Sequence, residues 1–330
     1  MSTAPHPVAS ARRRRNRTGT TTGQGGQAGP ARQPGRSGPA GKAGQAGQGR
    51  IAVLFLLPAL ISLALLRLIP AGVALVESFF NESLLQGGRT FVGIGNYTDL
   101  IGNPDFRQSV AVTLVFTLIV NPVQIAVSFL LAVLYTQRAA GSKVWRALVV
   151  LPIAVPPAVS AVIWSVIYRP DGLANSFLDL LTIPAQPFLT SSSQALPSII
   201  VLLSWIGVGY WMLFLIAGIN DIPDDIHEAA SLDGVSPWRR LWSITLPLVR
   251  RPLAFVLVAD TVANLLVFAP VQILTKGGPN GTTNLMMYDV YNRAYAIGDL
   301  HTAQAEVILL VAVTLIIVAL QFRLLKGDDR

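Results

Sequence analysis

The sequence contains no cysteine, which excludes disulfides, thiolate metal sites and thiol catalysis together. Charge is also sparse: 13% of the 330 residues are charged, against 52% hydrophobic, with a mean hydropathy of +0.54. So apolar a chain lacks the polar surface of a water-soluble globule, and a bilayer is its expected solvent. The three histidines, His6, His227 and His301, are too far apart to suggest a metal cluster. No metal ligand and no catalytic residue is expected. Residues 1–50 have no acidic or aromatic side chain but hold 11 of the 28 glycines and nine Lys or Arg. They cannot bury enough apolar surface to offset their ordering entropy, which predicts a disordered basic tail. Its Arg12 to Arg15 run with Arg17 can attract anionic headgroups or nucleic acid. A solvated cytoplasmic tail is the simpler expectation, with no specific nucleic-acid partner. A cleavable signal peptide is disfavoured, because some fifty residues precede the first apolar run and no small-residue cleavage site follows it.

What the sequence has in abundance is long apolar runs. A helix crosses a bilayer with roughly 20 predominantly apolar residues. Six runs meet that length, at about 51–76, 109–135, 145–168, 196–219, 253–275 and 303–322. The predicted fold is therefore all-α and polytopic, with lipid as its surroundings. Six spans leave both termini on one side. The tail, 136–146, 220–252 and the C-terminus hold nineteen Lys or Arg, the opposite segments five. By the positive-inside rule both termini are expected in the cytoplasm. Arg67, inside the first span, falls near its far end and can snorkel outward. Pro152, Pro156 and Pro157 are expected to interrupt the third span, and Gly207 and Gly209 the fourth. Broken helices at membrane depth are tolerated mainly where they face protein or a water-filled cavity. A lumen and simple kinking in a packed bundle both fit these breaks.

The segment 221–251 between the fourth and fifth spans reads as two short helices. Pro223 suits a first turn, with Asp224, Asp225 and Glu228 near the positive end of the dipole, and Gly234 is placed for a left-handed cap. Ser236 caps a second helix that Pro237 opens and Pro247 ends. In it Trp238, Leu241 and Trp242 are expected to form an apolar stripe, with Arg239 and Arg240 facing away. The small residues Ala229, Ala230 and Gly234 at the bend offer a close-packing knob to a soluble partner.

Glu228-Ala229-Ala230, three residues, Gly234, nine residues, Ile244, one residue and Leu246-Pro247 match the EAA loop of ABC importer permeases. FVGIGNY at 91–97, WRALVVLPIAVPP at 145–157, YRPDG at 168–172 and LTKGGPNGTT at 274–283 extend the match. By these motifs, which cover nearly everything after residue 50, the chain resembles carbohydrate-uptake permeases of the maltose and glycerol-phosphate type. The resemblance implies a permease domain over 51–325 with its coupling loop at 221–251 and a short cytoplasmic tail at 326–330. It implies a second homologous permease subunit, two copies of an ATP-binding subunit, and an extracytoplasmic solute-binding protein, at a bacterial inner or plasma membrane. Glu228, Ala229, Ala230, Asp233 and Gly234 would meet the ATPase. ATP and Mg²⁺ would belong to the ATP-binding partners, since no Walker sequence is present here.

The same resemblance brings Gly207, Tyr210, Asp260 and Asn264 to a sugar site. Asp260 replaces a neutral residue there and Val267 stands where a second amide would be, so the solute is expected to differ from maltose. Asp260 and Asn264 stand one helical turn apart on one face, and an ionisable group in a span is a functional candidate by default. A carboxylate can accept from two adjacent hydroxyls, while Tyr210, Trp211 or Trp205 can stack on a pyranose face. Pairing of Asp260 with a cation on the sister subunit stays open. Two other classes remain: an ion-coupled secondary transporter, which would need its own ion site and usually inverted repeats, and an intramembrane enzyme, for which Asp260 has no evident sequence partner.

Overall fold

The computed structural model describes residues 53–83, 88–136 and 142–326. The expected tail over 1–50 and the last residues, 327–330, lie outside them. The chain divides at Leu60, and the architecture is that of the second unit, Ile61–Arg330. Among the described residues five helices are long and apolar enough to cross a membrane: α1 (Val53–Glu77), α3 (Pro104–Thr136), α7 (Ala195–Asn220), the segment Arg250–Leu274 and α13 (Leu300–Lys326, apolar to Leu324). A sixth crossing is available if the bent pair at 147–167 counts as one span. Between α1 and α3 lie a small antiparallel hairpin, β1 (Phe80–Ser83) with β2 (Gly88–Phe91), and α2 (Gly95–Gly102). The hairpin is an addition to the all-helical expectation.

The expected interruption of the third span is present. α4 (Ser142–Val150) runs into a 3₁₀ turn, and the chain bends by 112° before α5 (Pro157–Ile167). Pro156 and Pro157 supply the reason, since neither can donate a backbone hydrogen bond and Pro156 adopts an extended ψ of 144°. The fourth span departs from expectation: α7 is unbroken through Gly207 and Gly209. These glycines create close contact instead. A Cβ at Gly209 would stand 2.3 Å from the carbonyl oxygen of Val149, so α4 rests directly on this position. The interruption lies in the fifth span, where α10 (Arg250–Leu265) stops and α11 (Ala269–Leu274) restarts with Pro270 in its first turn. Gly209→Ala is expected to lower stability by about 1–3 kcal/mol, the usual cost of overpacking, because backbone cannot swing aside as a side chain can. A fall in the thermal unfolding midpoint of the solubilised chain would show it; an unchanged midpoint would contradict the contact.

α3 and α7 form the centre, with α10 packed on both. α3 is built inside out relative to a soluble helix. Ser109, Thr113, Thr117, Asn121, Gln124 and Ser128 recur every three or four residues and are all buried, while Leu114, Leu118, Ile119 and Val123 are exposed. Apolar contact drives association little in lipid, so packing and interhelical hydrogen bonds carry it, the bonds averaging about 0.6 kcal/mol each. The Asn121 amide donates to Thr261 Oγ1 at 2.7 Å, and the Ser128 hydroxyl to the Val208 carbonyl at 3.0 Å. Thr113 Oγ1 accepts from the backbone N–H of Met286 at 2.8 Å, fixing α12 (Met286–Tyr291).

Candidate functional site

The break between α10 and α11 opens onto a cavity of about 540 Å³. Leu266, Val267 and Phe268, the residues of the break, line one part of it. All four residues placed at a sugar site from sequence, Gly207, Tyr210, Asp260 and Asn264, also line it, with Trp211, Gln124 and apolar residues such as Leu203 and Ile206. Helical spacing explains the convergence. Gly207, Tyr210 and Trp211 share α7, Asp260 and Asn264 share one face of α10, and Gln124 belongs to the polar stripe of α3.

Asp260 is 1% exposed. Its Oδ1 accepts from the Trp211 indole N–H at 2.6 Å and from the Asn264 amide at 3.0 Å. Its Oδ2 is buried and has no hydrogen-bond partner among the described residues. The Asn264 amide also faces Asn121 Oδ1 at 2.9 Å and Gln124 Oε1 at 3.3 Å. Gly207 gives the Gln124 amide its room, since a Cβ there would come within 2.9 Å of Gln124 Oε1. Of the candidate stacking residues, Tyr210 is 43% exposed, edge-on to Trp211 and Phe214 with ring centroids 4.8 and 5.2 Å away. Trp211 itself is buried and its N–H is committed to Asp260. Trp205 does not line the cavity and packs edge-on against Trp164. Gln124 and Asn121 escaped sequence reasoning, although the six-fold recurrence of small or amide side chains in α3 marked that face.

The loop 221–251 is a helical hairpin, as expected, with differences in detail. α8 (Asp224–Leu232) begins after Pro223, which is its N-cap and not its first turn, and Gly234 takes a left-handed φ of +65°. Ser236 caps the N–H of Arg239 at 3.4 Å, and Pro237 opens α9 (Pro237–Arg240). The helix continues through a π turn, Leu241–Thr245, past Pro247 and up to Val249. The wider turn moves the buried face to Leu241 and Thr245. Trp238 and Trp242 are exposed, Trp238 by 67%, and pack edge-on against each other, so the expected stripe is not formed. Arg240 does not face away: with Asp224, His227 and Thr245 it lines a second cavity of about 490 Å³, against the ends of α3 and α7.

On the outer face of the hairpin Glu228, Ala229, Asp233 and Gly234 are exposed together with Leu232, which is 89% exposed. Ala230 points the other way and is 5% exposed. Beneath it, His227 Nδ1 is buried without a hydrogen-bond partner among the described residues. Burial lowers the His227 pKa below the ordinary 6.5, Arg240 lowers it further, and Asp224 opposes both. Folding thus favours the neutral ring, so its stabilising effect is present above pH 6.5 and lost as pH falls through the depressed value. Amide exchange across 224–232, corrected for its intrinsic pH dependence, is expected to accelerate between pH 7.5 and 5.5. The acceleration should vanish in His227→Gln; its persistence there would place the titration elsewhere.

Comparison with known proteins bears on the family and the fold. The family of binding-protein-dependent transport system inner membrane components matches residues 124–326. The sn-glycerol-3-phosphate transport system permease protein UgpA of Brucella abortus biovar 1 (strain 9-941) is 32% identical over 258 residues, covering 78% of this chain and 88% of that protein. The protein of the same name from Yersinia enterocolitica is 32% identical over 279 residues, covering 84% and 94%. A crystal structure of a bacterial ABC transporter involved in the import of the acidic polysaccharide alginate shares the fold, with a TM-score of 0.77 at 20% identity over 88% of this chain and 99% of that one. The chain belongs to the family of binding-protein-dependent transport system inner membrane components, the non-catalytic permease subunits of ABC importers.

Proposed function

We propose that the chain forms half of the translocation path for a sugar-like, polyhydroxylated solute, and that Gly207, Tyr210, Asp260 and Asn264 contact that solute in the cavity at the break in the fifth span. The layout is a basic cytoplasmic tail over 1–50, a transmembrane domain over 51–325 with both termini in the cytoplasm, and a short tail at 326–330. A second homologous permease completes the path, and an extracytoplasmic binding protein delivers the solute. Two ATP-binding subunits, holding ATP and Mg²⁺, drive the cycle through Glu228, Ala229, Ala230, Asp233 and Gly234. Ala230 would act from behind, by letting α8 sit close to its support.

The observation that carries this reading is Asp260, a carboxyl 1% exposed whose Oδ2 has no hydrogen-bond partner among the described residues, in the wall of a cavity of about 540 Å³. A buried charge in a span costs about 2.5 to 3.5 kcal/mol on insertion scales, so it persists where it has work to do. A mechanical link is also present. Leu241 and Val249 of the coupling segment share one apolar cluster with Trp211, whose indole holds Asp260. Hairpin movement driven by ATPase closure would thereby reach the cavity, turning it from an inward-open to an outward-open arrangement.

This chain has no native cysteine, so a cysteine placed in it is the chain's one thiol. In the reconstituted importer, Tyr210→Cys should react with a water-soluble methanethiosulfonate, and the transported solute should slow the reaction. A thiol unreactive in both nucleotide-free and ATP-bound states would remove the cavity from the path.

A further inference from the structure

We propose that Asp260 makes the cavity a charge filter, admitting donor-rich solutes that are neutral or carry an amine and rejecting anionic ones. The inference rests on the reading of this cavity as the solute site and goes beyond it in naming the charge class.

Two features of the polar floor lead there. The first is its sign: Asp260 is the one charged residue among the lining side chains, with no Lys, Arg or His among them. An entering carboxylate or phosphate would meet a buried carboxyl group and find no cation on this subunit's wall. The second is its hydrogen-bond polarity. Two of its donors, the Trp211 indole N–H and the Asn264 amide, are already directed at protein oxygens: Asp260 Oδ1, Asn121 Oδ1 and Gln124 Oε1. Asp260 Oδ2, buried, has no hydrogen-bond partner among the described residues. A solute hydroxyl or ammonium can donate to the Asp260 carboxyl, whereas an oxyanion meets only neutral donors in this wall, such as the Tyr210 hydroxyl and the Gln124 amide, and no charged one. The relatives and neighbour compared above carry names specifying sn-glycerol-3-phosphate and an acidic polysaccharide. This chain is expected to part from them in solute charge while keeping their fold.

The experiment uses the assembled importer without its binding protein, so that selectivity of delivery does not enter. Glucose, glucosamine and glucuronate are titrated while tryptophan emission is followed, with Trp211→Phe as the control for signal from the cavity. In the wild type, glucosamine and glucose should shift the emission at concentrations at least tenfold below glucuronate. In Asp260→Asn that gap should close to less than threefold. Wild-type response to glucuronate within threefold of glucose, or an unchanged gap in Asp260→Asn, would overturn the charge filter while leaving the cavity as the path. A Tyr210→Cys thiol that labels normally in a protein responding to none of the three probes would overturn the filter as well. If the probes fail and the thiol is also unreactive, the cavity is not the path and both conclusions fall. Failure of Asp260→Asn to assemble with the sister subunit would give Asp260 a structural role and equally withdraw the filter.

Discussion

Gly234→Asp is expected to insert and assemble normally while ATP-driven uptake falls by about 5- to 150-fold, the range of a 1–3 kcal/mol coupling energy. Gly234 is exposed at the hairpin bend with φ +65°, and a Cβ there would meet nothing within 4 Å of its own chain. Internal cost is therefore limited to holding a non-glycine residue in the left-handed region, about 1 to 2 kcal/mol, and Asp visits that region more readily than most residues. What the carboxylate would spoil is the outer surface beside Glu228, Ala229 and Leu232, where a partner must approach closely. Insertion is read by membrane fractionation, assembly by co-purification of the sister and ATP-binding subunits, and coupling by uptake per ATP hydrolysed. Normal uptake by an assembled Gly234→Asp importer would contradict docking at this bend.

Much of this surface was legible from residues alone, because caps and turns are local chemistry. Ser236 before Pro237 and a glycine after Leu232 specify helix ends whatever the rest of the chain does. The apolar runs were legible for the same reason, since span length depends on the bilayer and not on neighbouring helices. The internal breaks were less so. Glycine is a poor helix former in water, and Gly207 and Gly209 read as interruptions, yet in α7 the missing side chains admit the Gln124 amide and the Val149 carbonyl. The true interruption falls at Leu266, Val267 and Phe268, apolar residues with no breaking signal of their own beyond the nearby Pro270. Periodicity failed at Trp238 and Trp242 because the π turn at Leu241–Thr245 departs from 3.6 residues per turn, and the stripe assumed that value.

The candidate site shows the same division. Resemblance brought Gly207, Tyr210, Asp260 and Asn264 together, and they do line one cavity. Their partners were not deducible in that way. Trp211 looked like a stacking surface, and its position puts the indole N–H on Asp260, so its role is to orient the carboxylate. Gln124 lies more than 80 residues before any of the others, and only the packing of α3 on α7 and α10 brings it to the floor.

Solute uptake by Asp260→Ala, measured beside ATP hydrolysis in the same proteoliposomes with all partners present, tests the central claim most directly. Trp211 loses its acceptor in this variant, while the apolar residues it packs with in the cluster of Leu241 and Val249 all remain. The expected result is an importer that assembles, binds both soluble partners and hydrolyses ATP at the wild-type basal rate, while uptake falls at least about tenfold, a loss of 1.4 kcal/mol or more in the contact. Wild-type uptake by Asp260→Ala, or lost assembly restored by removing an opposing Arg or Lys from the sister subunit, would contradict it.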